Sequence, residues 1–215
     1  MTTQRFAQLF ALILFYSTSV MAGMSPELLA LSESWAKIKY QIPESQRVDA
    51  LEALNEKAKT LVDTHPGEAE PLVWQAIIIS TTAGEKGGLG ALSLVKEAKA
   101  LLEQAEAIKP DTLEGSVYTS LGSLYYQVPG WPLGFGDDDE AERYLKKALA
   151  VNPKGIDPNY IYGDFLMQEK AYEEAAAAFK RALVAPPREN RPIADAGRRT
   201  EIEAALAELK EAGYY

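Results

Sequence analysis

AKALLEQAEAIKP (98–110), AERYLKKALAVNP (141–153) and AAAAFKRALVAPP (175–187) decide the fold of this chain. Aligned on their prolines Pro110, Pro153 and Pro187, they show three shared columns. Ala98, Ala141 and Ala175 fill the first; Leu102, Leu145 and Phe179 the second; Ala105, Ala148 and Ala182 the third. The spacing i, i+4, i+7 is one face of an α-helix. Two alanines flanking one large residue predict that another helix backbone comes very close there. The proline stops each helix, since it lacks an N–H and clashes with the preceding turn.

The segments before these helices carry a second pattern. Tyr118, Leu121, Gly122 and Tyr125 share a helical face, as do Tyr162, Gly163 and Leu166, with Trp74 and Ile78 in similar places upstream. A large residue, a glycine and another large residue predict a tight helix crossing.

In these columns the chain resembles the tetratricopeptide-repeat family, whose unit is a helix pair of about 34 residues. Ile156–Glu189 matches without a gap, although Asn159 and Tyr162 stand where an aromatic residue and a leucine are usual. A unit over about 115–155 carries roughly seven extra residues before Ala141, and one over about 71–112 roughly eight before Ala98. A degenerate unit over 25–66 keeps Leu54, Ala58, Leu61 and Pro66, and a capping helix is expected over about 193–212. The resemblance implies an all-α, tetratricopeptide-like helical-repeat solenoid with a C-terminal capping helix. Each pair would bury its apolar face only by stacking on the next. The first helix of each pair would line the concave side, where such arrays hold partners.

The first 22 residues read as a leader. Arg5 supplies a positive start, Phe6–Tyr16 is an almost unbroken apolar run, and Val20-Met21-Ala22 places small residues for cleavage after Ala22. The run is short of the about 20 residues that span a bilayer. A periplasmic or secreted domain over 23–215 is therefore expected. The chain has no cysteine, so a lipobox anchor, disulfides, thiol catalysis and Cys-ligated metals are excluded. Its net charge of −9 argues against nucleic-acid and anionic-lipid partners. Cleavage would remove Arg5 and no carboxylate, making the charge more negative.

No enzyme, cofactor or metal is expected. There is one histidine, and no HExxH, GxSxG or phosphate-loop pattern in a suitable context. His65, before Pro66-Gly67, reads as a helix C-terminal turn, and Asp137 to Glu140 as an N-terminal cap rather than a calcium loop. Asp195, Arg198 and Arg199 read as ion pairs docking the last helix on the third unit.

Candidate binding positions follow from the helix register. On the first helices they are Gln75 and Ile79, then Ser123 and Tyr126, then Tyr160, Asp164 and Met167, with Leu72, Thr119, Gln127 and Asp157 beside them. The loop VPGWPLGFGDDD (128–139) adds Trp131 and Phe135, either as a plug between helices or as a lid over the groove. The glycine-rich stretch 83–90 is expected to be a mobile loop on the same edge, forming one pocket mouth with it. This mixed apolar and polar surface fits a protein or peptide partner. The alternative is a small, partly apolar ligand held by a carrier. The chain also has a similarity to the periplasmic T component of TRAP-type transporters, in its leader, size, helical-repeat content and Pro-Gly-rich loop before an Ala-rich helix.

Overall fold

The computed structural model describes residues 24–214; the leader expected over 1–22 lies outside them. Nine α-helices run in sequence among the described residues: α1 Pro26–Gln41, α2 Glu44–Thr64, α3 Ala69–Lys86, α4 Gly88–Ile108, α5 Thr112–Gln127, α6 Asp138–Val151, α7 Ile156–Gln168, α8 Tyr172–Leu183 and α9 Pro192–Glu211. They form an all-α helical-repeat array. Local signals set the helix ends. The Ser25 hydroxyl accepts from the Leu28 N–H at 3.3 Å, and Pro26 follows at the first helical position. Asp137 accepts from the Glu140 N–H at 3.0 Å and so caps α6. His65 closes α2, its backbone N–H donating to the Leu61 carbonyl at 3.0 Å.

The alanine columns are the helix contacts. Ala98, Ala105, Ala141, Ala148, Ala175 and Ala182 are all fully buried, and so are Leu102, Leu145 and Phe179. The large column fills the space that the glycines leave open. A Cβ on Gly122 would lie 2.6 Å from Leu145 Cγ, and one on Gly163 would lie 2.8 Å from Phe179 Cδ1. Each of these first helices therefore crosses its own second helix at a distance only glycine allows. The even-numbered helices form the outer layer.

The stretch 83–90 differs from its expectation. It is helical almost throughout, with α3 continuing to Lys86 and α4 starting at Gly88. Only Gly87 and Gly88, with φ of 61° and 62°, turn the chain. No proline interrupts the stretch, so the extra residues lengthen two packed helices instead of forming a loop.

The odd-numbered helices make an inner layer, and it closes on itself. Each packs on the next, from α1 through α3, α5 and α7 to α9, and α9 packs back on α1. The last helix caps the third unit as expected: Arg199 Nη2 donates to the Ala185 carbonyl at 2.8 Å. It also seals the ring. The Tyr40 hydroxyl donates to Glu201 Oε2 at 3.2 Å, and Lys39 Nζ lies 3.4 Å from Glu201 Oε1. Gly197 lets the Tyr40 ring lie flush on α9, where a Cβ would come within 2.4 Å of it. Ile193 and Ala194 join the apolar cluster of Leu28, Trp35 and Trp74.

Candidate functional site: a cavity inside the helical ring

Ring closure turns the concave face into a cavity of about 2120 Å³. One end of its wall is apolar. Trp35 and Trp74 meet edge to face at 6.1 Å, with Leu28 and Ile77 beside them. The Trp35 indole N–H donates to Thr81 Oγ1 at 2.9 Å, which fixes the ring against α3. Ser120 and Ser123 of α5 give the middle of the wall its hydroxyls.

The positions read from the register divide. Ser123, Tyr160 and Asp164 line the cavity, as do Thr119, Gln127 and Asp157. Tyr126 is buried behind the wall, where its hydroxyl donates to Asp164 Oδ2 at 2.6 Å and accepts from Gln127 Nε2 at 3.0 Å. Burial and the facing Asp164 charge hold the Tyr126 phenol well above its ordinary pKa. Met167 is half-buried against the cluster around Phe165 and Phe179.

Gln75 and Ile79 are buried in helix contacts, not on the wall; α3 presents Trp74, Ile77 and Thr81 to the cavity instead. The wall positions Trp74, Ile77 and Thr81 stand two residues after the expected Leu72, Gln75 and Ile79.

The loop between α5 and α6 combines parts of both expected roles. Gly136 N–H donates to the Pro129 carbonyl at 3.0 Å and Asp137 N–H to the Tyr125 carbonyl at 2.9 Å, closing the loop on itself. Phe135 plugs it by an edge contact with Tyr125 at 5.7 Å. Leu133 and Pro129 reach the cavity wall, as do Gly84 and Gly88 from the α3–α4 corner. Trp131 points away from all of this and is 90% exposed.

Beside the tryptophans, α9 brings to the wall residues that the register did not reveal. Asp157 on α7 accepts from Arg188 Nη1 at 2.8 Å and from Arg198 Nε at 3.0 Å. Arg198 also donates through Nη1 to Glu201 at 2.6 Å and lies 4.2 Å over the Tyr160 ring. Arg188 Nε donates to Asp195 Oδ1 at 2.7 Å. Arg191, just before α9, lies 5.2 Å over the Trp74 ring of α3. The run RENRPIADAGRR (188–199) showed the cations, but not that α1 and α3 would meet them.

Burial alone would raise the Asp157 pKa; the charges of Arg198, Arg188 and Arg191 override it and hold the carboxyl well below the usual range. A depressed folded-state pKa stabilises the fold fully above the unfolded value of about 3.9, and that contribution is lost as pH falls below it. Thermal melts should therefore show a midpoint that drops steadily below about pH 4. Asp157→Asn should start lower at neutral pH and fall less steeply in acid.

Among the described residues, no group of three or more His, Cys, Asp or Glu side chains could hold a metal ion, and no helix is long and apolar enough to cross a membrane.

Residues 133–196, from the middle of the α5–α6 loop into α9, match the tetratricopeptide-repeat sequence family. Over these residues the chain matches a tetratricopeptide repeat. The match covers α6, α7 and α8, including the Gly163–Phe179 crossing. A solved structure of a thermophilic TPR protein from Thermus thermophilus is similar at 18% identity and a TM-score of 0.45, with 84% of this chain and 97% of that chain covered. No curated protein sequence matches. Tetratricopeptide repeats suggest a protein-interaction scaffold.

Proposed function

We propose that this is an exported scaffold that holds a protein or peptide partner, as an extended segment, inside its helical ring. The size of the cavity carries this reading. At about 2120 Å³ it exceeds the roughly 300–1,000 Å³ typical of small-molecule sites. A ring of packed helices admits a chain segment more readily than a folded domain. The wall suits such an occupant, with apolar surface at Ile77, Leu113 and Leu133, hydroxyls on α5 and charges on α7 and α9. The second reading, a carrier of a small, partly apolar ligand, draws on the tryptophan end alone. Export rests on the leader pattern, and the mature chain would begin at Gly23.

A photoreactive residue in place of Ser123, compared with one at the outward position Glu142, tests this in intact cell envelopes. The scaffold predicts a polypeptide adduct from the inner position only, weakened when Ser120→Trp obstructs the α5 wall beside Ser123. N-terminal sequencing of the same material should begin at Gly23. Retention of only a low-mass molecule, seen by native mass spectrometry, would replace the scaffold with the carrier. No adduct from either position would remove the cavity from the function.

A further inference from the structure

The chain is acidic overall, yet one end of its cavity is not. Where α1, α7 and α9 meet, the cations Lys39, Arg188, Arg191 and Arg198 face the carboxylates Asp157, Asp195 and Glu201. The cations exceed the carboxylates by one. The hydrogen bonds show where the surplus sits. Both Asp157 oxygens are engaged, by Arg188 and Arg198. Arg198 also holds Glu201, and Arg188 also holds Asp195.

Arg191 is left over. Its Nη1 stands 3.8 Å from Asp157 Oδ2, too far for a hydrogen bond, and its buried Nε donates to no protein atom. The side chain is only 16% exposed and lines the cavity beside Trp74. A guanidinium held out of water without matched acceptors is costly. Burial pushes its pKa down, so the surrounding charges do not compensate it.

We propose that Arg191 is an anion anchor: the occupant of the ring presents a carboxylate to it, with an apolar group packed on Ile77 at the exposed edge of the cluster around Trp74. This rests on the scaffold reading and names the chemistry of the segment held. The surplus is one positive charge, which matches a monoanion. A phosphate dianion would meet the charges of Asp157 and Asp195 around the same arginine, so an acidic side chain is the fitting partner. A planar fork of donors binds a carboxylate at two points, and an amide lacks the charge that makes such bonds strong.

The test uses the mature chain and two capped dipeptides, acetyl-Phe-Glu-amide and acetyl-Phe-Gln-amide, at constant ionic strength. The Arg191 Nε–H resonance, assigned by its loss in Arg191→Met, is followed by NMR. The acidic peptide should shift it saturably, and the amide peptide should bind at least about tenfold more weakly, as expected for a charged hydrogen bond. Arg191→Met should bind both peptides alike and melt no lower than the parent, because it removes a buried cation that makes no hydrogen bond through Nε and only a long-range ion pair with Asp157.

Equal binding of the two peptides, or no shift with either, would overturn the anchor. So would a fall in melting midpoint as large as that of Arg198→Met, which would make Arg191 a structural tie. A polypeptide adduct from position 123 alongside equal peptide binding defeats the anchor alone. Loss of that adduct alongside clear Glu-over-Gln discrimination defeats the scaffold and upholds the anchor.

Discussion

Arg198→Met lowers the stability of this protein by about 3 kcal/mol, near the lower end of the range for breaking a buried pair. Arg198 is 12% exposed and joins three helices. It donates to Asp157 on α7 and to Glu201 on its own helix, and Glu201 in turn receives the Tyr40 hydroxyl from α1. Methionine keeps most of the volume over the Tyr160 ring but removes the charge. Asp157 retains Arg188 at 2.8 Å, which is why the upper end of the range is not reached. The melting midpoint should fall by about 6–12 °C for a chain of this length. Hydrogen exchange should quicken first in α1 and α9, whose contact depends on Glu201. The α5–α6 hairpin, which the arginine does not touch, should keep its protection.

Phe179→Ala has an effect of similar or greater size at a different place. The Phe179 side chain is fully buried, faces Gly163, and lies 5.7 Å from the Tyr160 ring. Its truncation removes apolar contacts and leaves a void that two crossing helices cannot close, costing about 3–5 kcal/mol. Gly163→Ala in that background should recover part of the loss, since the added methyl enters the space the ring vacated. In the parent, the same glycine substitution should destabilise by about 1–3 kcal/mol, because the Cβ would lie 2.8 Å from the ring. Denaturant unfolding of the four proteins checks both signs. Additive effects would mean that the two positions do not share a packing site.

These two sites differ in how far the sequence discloses them. The Gly163–Phe179 crossing is legible because it is local. Both residues belong to one helix pair, and the same small-large-small columns recur at Leu102 and Leu145. Caps such as Asp137 and the His65 turn are legible for the same reason: each acts within one turn of its own helix. Ring closure is not local. Tyr40 and Glu201 are 161 positions apart, and no helical period links them.

The size of the inner cavity depends on how far each repeat rotates against the next, which no single pair of columns encodes. The same holds for the site. Ser123, Tyr160 and Asp164 fall on the wall by helical register. Arg191 enters it only because α9 returns to α1 and α3. In α3 the reading slipped by two positions because nearly every face of that helix is buried, so the apolar pattern no longer marks a side.

Closure of the ring by α9 on α1 is the claim on which the cavity, its occupant and the Arg191 anchor all depend. Zero-length carbodiimide cross-linking of the dilute monomer, read by peptide mass spectrometry, tests it most directly. A closed ring predicts an amide between Lys39 and Glu201, whose charged atoms lie 3.4 Å apart, and its depletion in Arg198→Met. Formation of the within-helix Lys146–Glu142 product, at 2.8 Å, without any Lys39–Glu201 product would show an open array and contradict the closed ring.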